Sequence, residues 1–128
     1  MRSILLVDDS RVVREVLKVY LIGHGIELME AADGVEALAA IQRSLPDVVV
    51  ADLCMPRLDG AELCQALRSH PKTQRVPVVI LTSNFSPEAA KRCFQSGAAG
   101  VLSKPVEPKR LLTELERVAP SFRGAIGP

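Results

Sequence analysis

The stretch from Val48 to Gly60, VVVADLCMPRLDG, limits what this chain can fold into more than any other segment. Three consecutive valines leave no polar face, so a strand built on them must be covered on both sides. Strands buried on both faces belong to parallel sheets flanked by helices. Asp52 ends the run, and Pro56 removes the backbone donor that a continuing strand would need. Asp59, followed by Glu62 at the capping-box spacing, then opens a helix. Taken alone, Asp52 reads as a solvated strand-end residue. Its meaning depends on what else reaches that edge, where open α/β sheets bind their ligands.

The remaining sequence alternates strand and helix in the same way. Ile4–Val7 is an apolar strand ending at Asp8 and Asp9, and Ser10 caps a helix carrying Val12, Val13, Val16, Leu17, Tyr20 and Leu21 at helical spacing. Gly23 and Gly25 stop that helix. Residues 26–31 alternate apolar and polar, as an exposed edge strand does, and Asp33 with Glu36 repeats the capping spacing before Val35, Leu38 and Ile41. The Asp59 helix turns Leu63, Ala66 and Leu67 inward. A fourth strand, residues 76–82, is apolar up to Thr82. Ser86 and Pro87 begin a helix to about Gln95. A short strand from Val101 to Ser103 ends at Lys104-Pro105. Pro108 starts a last helix through Leu111, Leu112, Leu115 and Val118. The expected organisation is one domain over residues 1–119, with 120–128 as a flexible tail or linker stub, because PSFRGAIGP is rich in Pro and Gly.

Strand polarity predicts sheet order. The first, third and fourth strands are apolar and belong in the middle; the second and fifth are mixed or short and belong at the edges. With right-handed crossovers this gives a flavodoxin-like (βα)5 doubly wound parallel sheet of order 2-1-3-4-5. Its topological switch point, between strands one and three, gathers Asp8, Asp9 and Asp52. Three carboxylates in one crevice repel by roughly 3 kcal/mol per pair at about 5 Å and an effective dielectric of about 20. A hard divalent cation such as Mg²⁺ relieves that cost. Thr82 and Lys104 bring a hydroxyl and an ammonium to the same rim. Carboxylate nucleophile, metal, hydroxyl and cation together form a phosphoryl-transfer site, with Asp52 as nucleophile.

Composition narrows the setting. Sixteen basic against fifteen acidic residues leave a net charge of +1, so no overall field favours nucleic acid or an anionic membrane. No apolar run is long enough to span a bilayer, and MRSILLVDDS is too short and too acidic for a signal peptide. Cys54, Cys64 and Cys93 lack CxxC spacing and read as free thiols of a cytoplasmic protein rather than a metal site.

The motifs VDDS, DLCMPRLDG, PVVILTS and GAAGVLSKP, in this order and spacing, resemble the receiver domain of two-component response regulators over nearly the whole chain. The resemblance implies that Asp52 is a phosphoacceptor, taking phosphate from a sensor histidine kinase or a histidine phosphotransfer protein. It also implies that Asp9 and Asp52 ligate Mg²⁺ directly, that Asp8 acts mainly through water, and that the backbone carbonyl of Cys54 is a further ligand. Thr82 and Lys104 would hold the phosphoryl group, and Lys104-Pro105 would be a cis peptide. A downstream effector protein or a C-terminal effector domain would receive the signal, with no direct nucleic-acid or membrane contact. The domain would catalyse only its own phosphorylation and dephosphorylation.

Two positions depart from the family. Val101 stands where a Tyr or Phe is usual, and Val106 where Phe is frequent. Val101 cannot make the aromatic's inward rotation as Thr82 closes on the phosphate, so the chemistry is implied but the usual output coupling is not. Phe85 or Phe94 could take a coupling role, although Phe94 reads first as a core residue. His24 and His70 read as loop histidines. Lys91, Arg92, Lys109 and Arg110 are diluted by Glu88, Glu107, Glu114 and Glu116 and read as a solvated face. Two rival functions stand beside the phosphoacceptor. One is a Mg²⁺-dependent phosphohydrolase with an Asp nucleophile, against which count Asp8-Asp9-Ser10 in place of D-x-D and the lack of a substrate cap. The other is a non-switching interaction module.

Overall fold

A computed structural model of the chain describes residues 2–123. Five strands and five helices alternate: β1 (Arg2–Val7), α1 (Arg11–Leu21), β2 (Ile26–Ala31), α2 (Gly34–Arg43), β3 (Val48–Asp52), α3 (Gly60–Arg68), β4 (Val78–Thr82), α4 (Pro87–Gln95), β5 (Gly100–Ser103) and α5 (Pro108–Val118). All neighbouring strands pair in parallel, in the order β2-β1-β3-β4-β5. The all-apolar strands occupy the centre because their two faces serve two separate cores. On one side Leu5, Val7, Val49, Ala51, Val78 and Ile80 meet α2, α3 and α4. On the other, Ile4, Leu6, Val48, Val50, Val79 and Leu81 meet α1 and α5. The side-chain alternation of a strand requires such a split once both faces are covered.

Capping follows the sequence signals with one variation. Asp59 accepts from the Glu62 amide at 2.8 Å while Glu62 accepts from the Asp59 amide at 2.9 Å, a complete reciprocal box. Asp33 likewise accepts from the Glu36 amide, but the Glu36 carboxylate reaches back to the amide of Ala32.

Four expectations are corrected. In α1 the helical spacing is right but the apolar stripe is wider than the surface it can cover. Leu17 and Leu21 are buried, whereas Val12 is 72% and Val16 42% exposed. In α2 the inward face is Ala37, Ala40 and Ile41, and Val35 points out. Phe94 is half exposed on α4, which packs Cys93 inward instead. Finally, Pro120 opens a 3₁₀ turn, Pro120–Phe122, rather than a fraying tail. Phe122 is fully buried in the α1–α5 core, and Arg2 donates to the Ser121 carbonyl. Full burial of a phenyl side chain contributes about 2 kcal/mol, enough to hold so short a turn. The rest of the expected tail, 124–128, lies outside the described residues.

Candidate active site

Register brings the candidate residues to one edge. Val7 pairs with Ala51, Asp52 with Leu81, and Thr82 with Ser103, so the carboxyl ends of β1, β3, β4 and β5 finish level. Asp8, Asp52, Thr82 and Lys104 stand at or just beyond those ends. Asp8 is 2% exposed, Asp52 8% and Thr82 2%, whereas Asp9 is open to solvent. One carboxylate oxygen from each of Asp8, Asp9 and Asp52 lies within 4.8 Å of the others.

Local structure fixes each group. The Asp8 carboxylate accepts from the Ser10 amide at 2.9 Å, and the Ser10 hydroxyl caps α1 through the Val13 amide. Behind Asp52 the chain turns sharply: the Gly60 amide donates to the Leu53 carbonyl at 3.0 Å. A Cβ at position 60 would lie 2.6 Å from the Asp52 carbonyl oxygen, so this turn requires glycine at the start of α3. Arg57, in the same loop, has φ +68°, a left-handed conformation uncommon for a residue other than glycine. It is held there by its guanidinium on Asp33, at 2.7 to 2.8 Å. Cys54 follows Leu53 in this loop and is exposed. The Lys104-Pro105 bond is cis.

Electrostatics depart from a purely repulsive carboxylate cluster. The Lys104 ammonium lies 2.9 Å from Asp8 and 3.1 Å from Asp52, bridging the two buried carboxylates. Burial raises the Asp52 pKa, with the Asp8 and Asp9 charges adding to it, and Lys104 offsets only part of that. Burial alone would lower the Lys104 pKa. The Asp8 hydrogen bond and the Asp52 and Asp8 charges outweigh it and raise the ammonium above its ordinary value. The donor set fits a hard divalent cation: three converging carboxylates, two of them buried, with only one ammonium between them.

Of the residues expected from sequence, Asp8, Asp9, Asp52 and Lys104 are brought into direct proximity. Thr82 shares the edge, but its hydroxyl accepts from the Asn84 amide at 3.2 Å. Val101 lies off the edge, half-buried beside a cavity of about 470 Å³ that Phe85 also lines. His70 is exposed and His24 partly so, and neither takes part in the carboxylates' hydrogen bonds. Sequence reading missed three contacts: Arg57 on Asp33, Arg92 on Asp59 at 2.8 Å, and the Asn84 amide on Thr82. The first two join residues 24 and 33 positions apart, and no local pattern announces them.

Comparison with known proteins agrees with this geometry. Residues 4–116 match the family model described as response regulator receiver domain. The response regulator MprA of Mycobacterium sp. (strain KMS) is 42% identical over 112 residues, covering 88% of this chain and 48% of that protein. The gliding motility regulatory protein of Myxococcus xanthus is 43% identical over 103 residues, 79% of this chain and 13% of that protein. The chain thus spans about half or less of the length of these relatives. Among solved structures, the chemotaxis protein CheY4 of Vibrio cholerae superposes with a TM-score of 0.86 at 39% identity, covering 92% of this chain and 98% of that one. Sheet order, the acidic edge and a family match over most of the chain together lead to one conclusion: this chain belongs to the response regulator receiver domain family of two-component signalling.

Proposed function

We propose that the chain is a phosphoacceptor switch in which Asp52 takes a phosphoryl group from a phosphohistidine on a sensor kinase or phosphotransfer protein. The observation that carries this reading is the placement of a buried carboxylate at a strand end, 3.1 Å from a lysine ammonium and flanked by two further carboxylates. In the transfer, an Asp52 carboxylate oxygen attacks phosphorus, the P–N bond breaks, and the imidazole nitrogen leaves with the bonding pair. The product is an acyl phosphate on Asp52.

Asp9, Asp52 and the Cys54 carbonyl would hold Mg²⁺, with Asp8 acting through a bound water. When bound, the ion would supply positive charge that offsets the carboxylates and the transferred phosphoryl group. Lys104 moves its ammonium from Asp52 to a phosphoryl oxygen, and the Thr82 hydroxyl turns to donate to another. Asp8 holds the lysine in place during that exchange. The activity is confined to the domain's own phosphorylation and dephosphorylation, and the output passes to an effector protein or a linked effector domain in the cytoplasm. We take the receiver unit to include Phe122, a reading that its full burial supports.

Incubation with acetyl phosphate and Mg²⁺ followed by intact-mass measurement tests the reading. The parent should gain one phosphoryl mass and Asp52→Asn none, since the amide removes the nucleophilic oxygen. An equal adduct on the variant would move the site elsewhere. Rapid release of inorganic phosphate without a trappable adduct would favour a hydrolase.

A further inference from the structure

The C-terminal halves of α2 and α3 border a groove that the phosphoryl chemistry does not use. In a parallel sheet each connecting helix runs from the carboxyl end of one strand back to the amino end of the next. Arg43 and Arg68, which end α2 and α3, therefore lie at the opposite end of the sheet from Asp52. The groove between them is a cavity of about 780 Å³, within the range of ligand-binding clefts. Its floor is apolar, with Leu38 and Ile41 from α2 and Ala66 and Leu67 from α3. Leu45, just past α2, also lines it and is 55% exposed. A single exposed leucine is ordinary on a protein surface, but this one prolongs an apolar floor.

The charge around the groove has one sign. Residues 37–46 and 63–77 supply all of the lining, and they contain Arg43, Arg68, Lys72 and Arg75 but no Asp or Glu. That is a local excess in a chain whose net charge is only +1. The Arg68 guanidinium is already engaged, donating to the carbonyls of Gly97, Gln74 and Val76. Arg43, Lys72 and Arg75 are exposed, and among the described residues none of the three joins an ion pair. Asp47, the first acidic residue after α2, is turned to the Ser3 amide at 2.7 Å. Lys72 and His70 stand on the rim itself, whereas Arg43 and Arg75 lie outside the lining. A small molecule filling the cavity would not meet those two arginines, but a segment laid across it would.

We propose that this groove docks an acidic amphipathic helix of a partner protein. Its aliphatic or aromatic side chains cover Leu38, Ile41, Leu45 and Leu67, and its Asp or Glu residues face Lys72, Arg43 and Arg75. Apolar burial supplies the affinity, and the one-signed rim selects acidic helices over basic ones. A partner held there leaves the edge that carries Asp52 open, so the proposal does not depend on the phosphoacceptor reading.

The test uses a synthetic helical peptide of about 16 residues, with Leu at i, i+3, i+4 and i+7 and Glu along both flanks. It is titrated into the ¹⁵N-labelled chain beside a second peptide in which every Glu is Lys. The exposed α1 stripe of Val12, Val16 and Val19 is also apolar but carries Glu15 beside Arg11, so it serves as an internal reference. The Glu peptide should give saturable amide shifts at residues 38–45 and 66–73, and the Lys peptide should bind at least about tenfold more weakly. Lys72→Glu and Leu45→Asp change exposed side chains, so both should melt close to the parent while each weakens the Glu peptide about fivefold or more. Equal affinity for the two peptides, or shifts centred on α1, would show unselective apolar contact and overturn the proposal. No saturable shift up to about 1 mM Glu peptide also overturns it, as does unchanged affinity in both variants. Co-sedimentation with phosphatidylglycerol vesicles that Lys72→Glu abolishes, without peptide binding, would assign the patch to a lipid surface and reject the helix.

Discussion

Replacing Lys104 by methionine removes the ammonium while keeping most of the side chain's apolar volume. The parent places that charge 2.9 Å from Asp8 and 3.1 Å from Asp52. At an effective dielectric of about 20 and about 3 Å, each contact is worth roughly 5 kcal/mol before desolvation is subtracted. Burying the lysine costs several kcal/mol, and its side chain is still 18% exposed, so the net loss sits toward the low end for a broken buried pair, about 3 kcal/mol. For a domain of this size that is roughly 10 °C in Tm. Saturating Mg²⁺ should shrink the deficit, because the ion neutralises the same two carboxylates and binds the variant's more negative cluster at least as well. The chain has no Trp, so urea and thermal melts followed by circular dichroism, with and without Mg²⁺, are the suitable assay. A variant within about 0.5 kcal/mol of the parent without metal, a difference typical of neutral surface changes, would refute the reasoning. So would a deficit that Mg²⁺ leaves untouched.

Other perturbations follow from neighbouring features. Asp9 is exposed and is not paired with Lys104, so Asp9→Ala should weaken Mg²⁺ binding yet stabilise the metal-free fold by about 1 kcal/mol; a lower melting temperature without metal would count against it. Gly60→Ala sets a Cβ 2.6 Å from the Asp52 carbonyl oxygen, a backbone atom that cannot step aside. It should cost about 3 kcal/mol in a urea melt and slow phosphate uptake, and a neutral variant would show that the turn relaxes freely. Burial pushes the Cys64 thiol up to about 12 and also raises Cys93, whereas Cys54 is exposed. An aromatic disulfide reagent near pH 8 should therefore titrate Cys54 alone in the native protein and all three thiols after unfolding; fast native reaction of Cys64 would contradict its burial.

Much of the architecture is determined by sequence alone, because strand polarity and capping are local properties. The valines of β3 cannot be exposed on either face, so that strand has to be central, and the sheet order follows from where mixed strands can sit. That order in turn brings Asp8, Asp9 and Asp52 to one crevice. Asp59 and Ser86 announce their helices within a few residues of themselves. Tertiary structure alone decided the rest. Helical spacing identifies α1 as a helix but not which part of a wide apolar stripe meets the sheet. Only the width of the covered surface leaves Val12 and Val16 outside and Leu17 and Leu21 within. Phe122 looks like part of a polar, Pro- and Gly-rich end until α1 and α5 provide a core for it. The charge balance of the site was hidden for the same reason. Strand ends bring Lys104 to the same rim on sequence grounds, but it is 96 residues from Asp8 in the chain, and only the packed sheet sets its ammonium between Asp8 and Asp52. Local patterns specify elements and their polarity, whereas contacts between distant side chains exist only after those elements have packed, because packing alone sets the distances on which burial and charge depend.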